Sequence, residues 1–129
     1  MILVDSDVLI AHLRGIESAR KWLREQRASS GPLAISAVTL AEITGGMRSG
    51  ERREVWQLLD SLRVEHVTDV VARRAGELMR RYRRSHAGIG LGAFLIAATA
   101  DARGLELATL NVRHFPMFGG LRPPFKLYT

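Results

Sequence analysis

The chain opens with an apolar run, residues 1–4, that ends on two closely spaced carboxylates, Asp5 and Asp7. The run is short and rich in branched side chains, which is typical of a buried strand in a parallel sheet. A second apolar run starts at Val8, and Ser6 or Asp7 can cap a helix that begins there. Asp5 is therefore expected at the carboxyl end of a strand, where open α/β sheets place their ligand sites. Because it has no basic neighbour in sequence, it suggests a site for a divalent cation.

The alternation of strand and helix continues along the chain. Short apolar runs predict further strands at 33–36, 64–67 and 105–109, and helical patterns separate them. This alternation favours an α/β domain with a parallel sheet and helices on both faces. The carboxyl ends of parallel strands meet at one edge, so we expect Asp5 and Thr109 to border the same cleft.

Composition narrows the possible chemistry and partners. The 129 residues are enough for one domain with a substantial core, and no apolar stretch approaches the ~20 residues of a membrane span. Cysteine is absent, so any metal would have oxygen or nitrogen ligands, and a reducing cytoplasm is expected. The net charge is +6, and 17 of the 19 basic residues are arginine, which indicates a nucleic acid or acidic protein partner, or a genomic preference for arginine.

Glu42 is the second candidate ligand. It lies about one and a half turns into a helix that is predicted to begin after Ser36, beside the same cleft. Leu40 and Ile43 of that helix can face the core of the domain while Glu42 points elsewhere. A lone helical glutamate is usually a surface residue, but its pairing with Asp5 favours a metal site.

Four segments, 5–10, 36–42, 90–100 and 109–115, resemble in order and spacing the four motifs of PIN-domain nucleases, and most closely those of VapC-type toxins. The resemblance covers nearly the whole chain. It implies one PIN-like three-layer domain over residues 1–129, with a short, mostly parallel sheet flanked by helices. It also implies an endoribonuclease that depends on Mg²⁺ or Mn²⁺ and acts most often on tRNA. Such toxins are held silent by a cognate VapB-type antitoxin, and a homodimer and a toxin–antitoxin hetero-oligomer are expected.

The resemblance assigns the catalytic and metal-binding positions to Asp5, Glu42, Ala93 and Asn111. Ala93 stands where the family carries its third aspartate, and a methyl group cannot bind a metal. The next acid along the chain, Asp101, lies about 12 Å further along the helix, too far to replace it. Asn111, where many members carry aspartate, can ligate through its carbonyl oxygen or cap a helix. Around these positions, Ser6, Asp7 and Thr109 are expected to support the site, by orienting metal-bound water or capping.

The loss of one ligand at Ala93 predicts a weakly bound or absent metal and little or no nuclease activity. Either the aspartate was replaced deliberately, or the chain is a natural binding-only PIN domain that captures antitoxin or RNA without cleavage. A DNA-repair nuclease on the same fold is a further alternative, which predicts a preference for flapped DNA over structured RNA.

Two surfaces are candidates for macromolecular contacts. Arginines around Tyr82, followed by basic residues after the last strand, suit phosphate contacts and base stacking, although a solvated charged face is the simpler explanation. The predicted RNA contacts are Arg80, Arg81, Arg83, Arg84, Arg113 and His114. The family's antitoxins occupy a hydrophobic groove in the first half of the toxin. The predicted antitoxin contacts are Leu9, Leu13, Trp56 and Leu59, with a core position as the alternative for Trp56.

Overall fold

A sheet of four short parallel strands organises the chain in the computed structural model, which describes residues 1–127. Helices connect the strands in every crossover. In chain order the elements are β1 (Ile2–Val4), α1 (Ser6–Leu13), α2 (Glu17–Ser30), β2 (Ala34–Ser36), α3 (Ala37–Gly46), α4 (Arg52–Asp60), β3 (Arg63–Glu65), α5 (Asp69–Tyr82), α6 (Leu91–Arg103) and β4 (Glu106–Ala108). Short 3-10 turns lie at Ser49–Glu51 and Val112–His114.

The order of the strands in the sheet is β3-β2-β1-β4. The chain therefore builds outward from β1 through β2 to β3, and then returns to the other side of β1 with β4. The reversal between β1 and β4 is a topological switch point, where the connecting helices leave to opposite faces and open a crevice at the strand ends. Asp5 follows β1 and Thr109 follows β4, so both lie at this crevice.

Alternate residues of the two central strands face opposite layers of helix. Val4 and Ile35 pack in one buried cluster with residues of α1 to α4, while Leu3 and Ala34 pack in the other with α5 and α6. This is the outcome of the two-residue period of a strand with both faces covered. The predicted three-layer α/β architecture is confirmed, and all four strands are parallel.

Several element boundaries differ from the prediction. Neither Ser6 nor Asp7 caps α1, because Asp5 holds the N-cap position and its side chain accepts from the Ser6 backbone N–H. Helix α6 begins at Leu91, two residues before the predicted start at Ala93, which places Ala93 within its first turn. Among residues 1–127, no helix is long and apolar enough to cross a membrane.

Candidate active site

Asp5 is fixed at the end of β1 by a dense set of contacts. Its backbone N–H donates to Ala108 O at 2.9 Å, which continues the ladder between β1 and β4. Its side chain accepts from the Ser6 backbone N–H at 2.8 Å and from Thr109 Oγ1 at 2.7 Å. The residue is only 9% exposed. Asp5 is therefore held rigidly, with one edge toward the crevice.

Of the two functions expected for Asp7, capping α1 is wrong, and its contacts instead support the neighbourhood of Asp5. Its two carboxylate oxygens accept from the Leu110 backbone N–H at 3.2 and 3.1 Å, and one also lies 3.3 Å from Thr109 Oγ1. The first turn of α1 is thus tied to the segment after β4, more than 100 residues away in sequence. Asp7 acts as a structural clamp that positions Thr109, and through Thr109 it positions Asp5.

Glu42 reaches the same crevice from α3. That helix starts directly after β2, where Ser36 Oγ accepts from the Val38 backbone N–H at 3.0 Å. Ser6 Oγ donates to Glu42 Oε1 at 2.7 Å and so joins α1 to α3 across the site. The predicted pairing of Glu42 with Asp5 is consistent with this placement, because Ser6 follows Asp5 in the chain.

Ala93 lines the same crevice, a shallow cleft of about 240 Å³ whose walls also include Asp5, Glu42 and Asn111. The neighbouring Gly92 confirms how close the first turn of α6 comes to α3, since a Cβ on Gly92 would lie 3.8 Å from Glu42 Oε2. A carboxylate at position 93 would therefore enter the cleft beside Asp5 and Glu42.

The Asn111 side chain does not cap the 3-10 turn that follows it. Its amide Nδ2 instead lies 3.0 Å from His114 Nδ1, and both residues line the cleft. Donation from the amide leaves the proton of a neutral imidazole on Nε2. This pair was not foreseen, although a polar residue three positions before a histidine in a tight turn is a recognisable signal.

Burial and neighbouring negative charge raise the pKa of Asp5. Burial, followed by the charge of Asp7, raises the pKa of Asp5 to about 6, with a smaller contribution from Glu42. Burial also raises the pKa of Asp7 above its usual range. A cation beside these carboxylates would relieve the repulsion. Within residues 1–127, no three acids or histidines are grouped as a metal site. Three carboxylates line the cleft, and because Asp7 is engaged with the Leu110 N–H, Asp5 and Glu42 are the two best placed to hold a cation. Two carboxylates suffice for Mg²⁺, which keeps several waters.

The raised pKa of Asp5 predicts a pH-dependent stability in metal-free buffer. In the folded chain Asp5 keeps its proton until about pH 6, whereas in the unfolded chain it loses the proton near pH 3.8. Stability should therefore fall as the pH rises from 4 to 6 and then stay low. Asp5→Asn should remove most of this loss and stabilise the chain at pH 7.5 by about 1–3 kcal/mol. Thr109 Oγ1 can then donate to Asp7 instead.

Urea unfolding in EDTA at pH 4.5 and 7.5 measures this effect. The exposed Asp60→Asn variant is the control and should follow the parent chain at both pH values. An Asp5→Asn variant with the same pH dependence as the parent would show that Asp5 is already ionised at pH 4.5.

The arginine-rich end of α5 lies beside the beginning of α6. Near the start of α5, Arg74 contacts Asp101 near the end of α6 at 2.5 Å, so the two helices run antiparallel. The opposite end of α5 therefore adjoins Ala93. All the predicted arginine contacts are exposed: Arg80 and Arg81 in α5, Arg83 and Arg84 in the turn after it, and Arg113 after β4. His114 is half-buried and lines the cleft.

The predicted antitoxin residues divide into two groups. Leu9 and Leu59 are 0% and 4% exposed and belong to the core, so they have no free surface for a partner. Trp56 is 40% exposed, and Leu13 lines a groove of about 390 Å³ that extends to Glu42. Hydrophobic spacing alone does not separate these groups, because it shows which residues of α1 and α4 are apolar but not which of them another element of the same chain covers.

Comparison with known proteins agrees with this geometry. The PIN-domain family model matches residues 2–117. The chain is 69% identical to Ribonuclease VapC10 of Mycobacterium tuberculosis over 97% of its own length and 93% of that protein. It is 39% identical to Ribonuclease VapC19 of the same organism, over 97% and 100% of the two chains. A toxin–antitoxin complex from Klebsiella pneumoniae has a similar chain, with a TM-score of 0.80 and 25% identity over 98% of this chain and 99% of that one.

Proposed function

Because this chain belongs to the PIN-domain family and to its VapC group, we propose that it is the toxin of a toxin–antitoxin pair, built to cut RNA at the cleft beside Asp5 and Glu42. One observation carries the proposal: Asp5, Glu42 and position 93 come from three different elements and line one cleft at the switch point of the sheet. The test is cleavage of total tRNA in Mg²⁺ by this chain and by its Ala93→Asp variant.

Mg²⁺ or Mn²⁺ is the proposed cofactor, held by Asp5 and Glu42. When bound, the ion would lower the pKa of a water and neutralise charge on the scissile phosphate. The protein's own contribution is orientation. Ser6 holds Glu42, and Thr109 with the Ser6 N–H holds Asp5, so both carboxylates point toward one volume. His114, whose Nδ1 lies 3.0 Å from the Asn111 amide, would donate from Nε2–H to a phosphate oxygen.

In this proposal, the alanine at position 93 is the cause of a low nuclease activity. With Asp5 and Glu42 alone remaining from the acids of the family's ligand set, the chain has lost one anionic ligand, so its metal affinity and the placement of the attacking water are both weakened. We propose that the chain cuts RNA poorly or not at all. The same observation favours one second candidate, a binding-only PIN domain. Such a domain captures antitoxin or RNA and would not cut RNA even with aspartate at position 93.

We propose that the arginine-rich end of α5 binds the RNA, with tRNA as the substrate class. Arg81 lies 5.5 Å above the centroid of the Tyr82 ring, an arrangement of cation and aromatic face that suits a stacked base beside a phosphate. The adjoining turn leads directly into the first turn of α6 at the cleft. RNA bound along this surface would present a phosphodiester to Asp5 and Glu42.

The double variant Arg81→Gln with Arg84→Gln should weaken tRNA binding without changing the fold. Two lost phosphate contacts should lower the slope of log affinity against log salt by about 1.5–2. Arg73→Gln is the matched control, since Arg73 lies on the same helix at its other end and pairs with Asp69 at 3.0 Å. Filter binding at several KCl concentrations measures the slopes. An unchanged slope in the double variant, or an equal change in the control, would remove this surface from the interface.

For the antitoxin, we propose the groove between α1, α3 and α4 as the docking site. Its apolar walls include Ile10, Leu13, Met47 and Val55, and Glu42 lies in its lining. An antitoxin segment in this groove would therefore reach the cleft and block it. We also propose that the chain forms a homodimer and acts in the cytoplasm, as is expected for this group of toxins.

A further inference from the structure

A second charged cavity lies between α1, α2 and α4, and the cleavage mechanism does not use it. We call it the arginine pocket. Its volume is about 460 Å³, in the size range of small-molecule sites. It is lined by His12, Arg20, Leu23, Arg24, Arg27 and Glu54. The three arginines lie on one face of α2, at positions 20, 24 and 27, because a helix brings residues three and four apart together.

The charges of the arginine pocket are not balanced within the protein. Three arginines face one carboxylate, Glu54, whose contact with Arg20 is a long 3.9 Å. Among residues 1–127, neither Arg24 nor Arg27 has a carboxylate within ion-pair distance. The lining of the pocket therefore has an excess of two positive charges, and an anion of matching charge would be attracted to it.

Two of the residues that line the pocket carry a hydrogen-bonding atom without a partner. His12 Nδ1 and Arg27 Nε are both buried and, within the described part of the chain, neither makes a hydrogen bond. The positive surroundings also act on the histidine: burial, then Arg20 and Arg27, lowers the pKa of His12. Buried polar atoms without partners are rare in folded proteins, and a water or ion bound nearby is one explanation for them.

The arginine pocket is separate from the active site. His12 follows Ile10 by two residues, which is about 200° around a helix. Ile10 lines both the cleft and the antitoxin groove, so His12 faces the other side of α1. A ligand in the pocket would touch α2 and α4 and leave Asp5 and Glu42 free.

We propose that the arginine pocket binds a phosphate monoester. A monoester carries nearly two negative charges at neutral pH, which match the excess, whereas a carboxylate or an internal phosphodiester carries one. Its oxygens can accept from several guanidinium groups at once, an arrangement that arginine geometry favours. The volume of about 460 Å³ is larger than a phosphate group needs, so the monoester can belong to a free nucleotide or to the phosphorylated end of an RNA.

The test is a titration of the ¹⁵N-labelled chain, followed through the arginine Nε–Hε and histidine resonances. The probes are inorganic phosphate, adenosine monophosphate, and one short RNA prepared with a 5′-phosphate and with a 5′-hydroxyl. Saturable shifts at Arg24, Arg27 and His12 are expected with phosphate or the nucleotide, but not with chloride at equal ionic strength. If the 5′-phosphorylated RNA binds about tenfold more tightly than the hydroxyl form, the source is an RNA end. If the two RNAs bind with equal affinity, the ligand of the pocket is a free phosphate monoester such as a nucleotide.

Three variants make the test specific to the pocket. Arg24→Gln should weaken phosphate binding about tenfold, and because Arg24 is exposed its loss should not disturb the fold. Glu54→Gln should strengthen binding, since it removes the one carboxylate of the pocket. Arg52→Gln, with the same change of charge on exposed α4 surface, should have no effect. The proposal is overturned if the shifts do not saturate, if Arg52→Gln acts like Arg24→Gln, or if a glutamate-rich peptide binds as tightly as phosphate.

Discussion

Ala93→Asp is expected to convert this chain into an active, metal-dependent ribonuclease, with a gain in tRNA cleavage of at least about 100-fold. The reason is local. Position 93 lies in the first turn of α6, on the wall of the cleft that contains Asp5 and Glu42, so the new carboxylate completes a three-acid ligand set without moving the backbone. The measurement is a time course of total tRNA with each protein in Mg²⁺, with EDTA as the blank.

Two control variants separate charge from shape and position. Ala93→Asn has nearly the same shape as the aspartate without its charge, and should stay close to the parent chain. Ala102→Asp puts a carboxylate on the exposed, distant end of α6 and should not activate the protein. If Ala93→Asp is silent with Mg²⁺ and Mn²⁺ on both tRNA and ribosomal RNA, the binding-only candidate replaces the nuclease.

Glu42→Gln, introduced into the Ala93→Asp chain, is expected to lower the restored cleavage activity by at least about 100-fold. Glutamine keeps an oxygen that can accept from Ser6 Oγ, the contact that Glu42 makes at 2.7 Å, so the link between α1 and α3 survives while the charge is lost. The loss should therefore appear in Mg²⁺ affinity, measured by calorimetry, as well as in cleavage. Thermal stability should change little.

The exposed Glu25→Gln on α2 is the matched control for this variant and should leave both Mg²⁺ affinity and cleavage unchanged. A Glu42→Gln protein that still cuts RNA with unaltered Mg²⁺ dependence would show that Glu42 contacts no metal and serves only to join α1 to α3.

The cleft illustrates a conflict between stability and chemistry. Asp5 is buried beside Asp7, a placement that raises its pKa to about 6 and costs folding free energy at neutral pH when no cation is present. Rigid contacts from Thr109 and the Ser6 N–H hold the carboxylate in this unfavourable position. The arrangement is understandable if a bound cation supplies the missing positive charge, because the same repulsion then becomes binding energy.

The sequence by itself determined those features of the fold and the site that short stretches of the chain encode. Branched apolar runs predicted the strands, the carboxylate after the first run predicted the site at the end of β1, and four ordered motifs predicted the family. The interpretation of Ala93 as a missing ligand also came from sequence, and the position of its side chain on the cleft wall agrees with it.

Only the tertiary structure decided which side chains meet across long stretches of chain. The clamp between Asp7 and the Leu110 N–H, the burial of Leu9 and Leu59, and the arginine pocket around His12 all depend on how α1 sits against its neighbours. Periodicity tells which residues share a helix face, but both faces of α1 are covered, and the sequence pattern does not say by what. The order of the strands decides this, because the switch from β1 to β4 brings Thr109 and Leu110 against the first turn of α1 and leaves α2 and α4 on its other side.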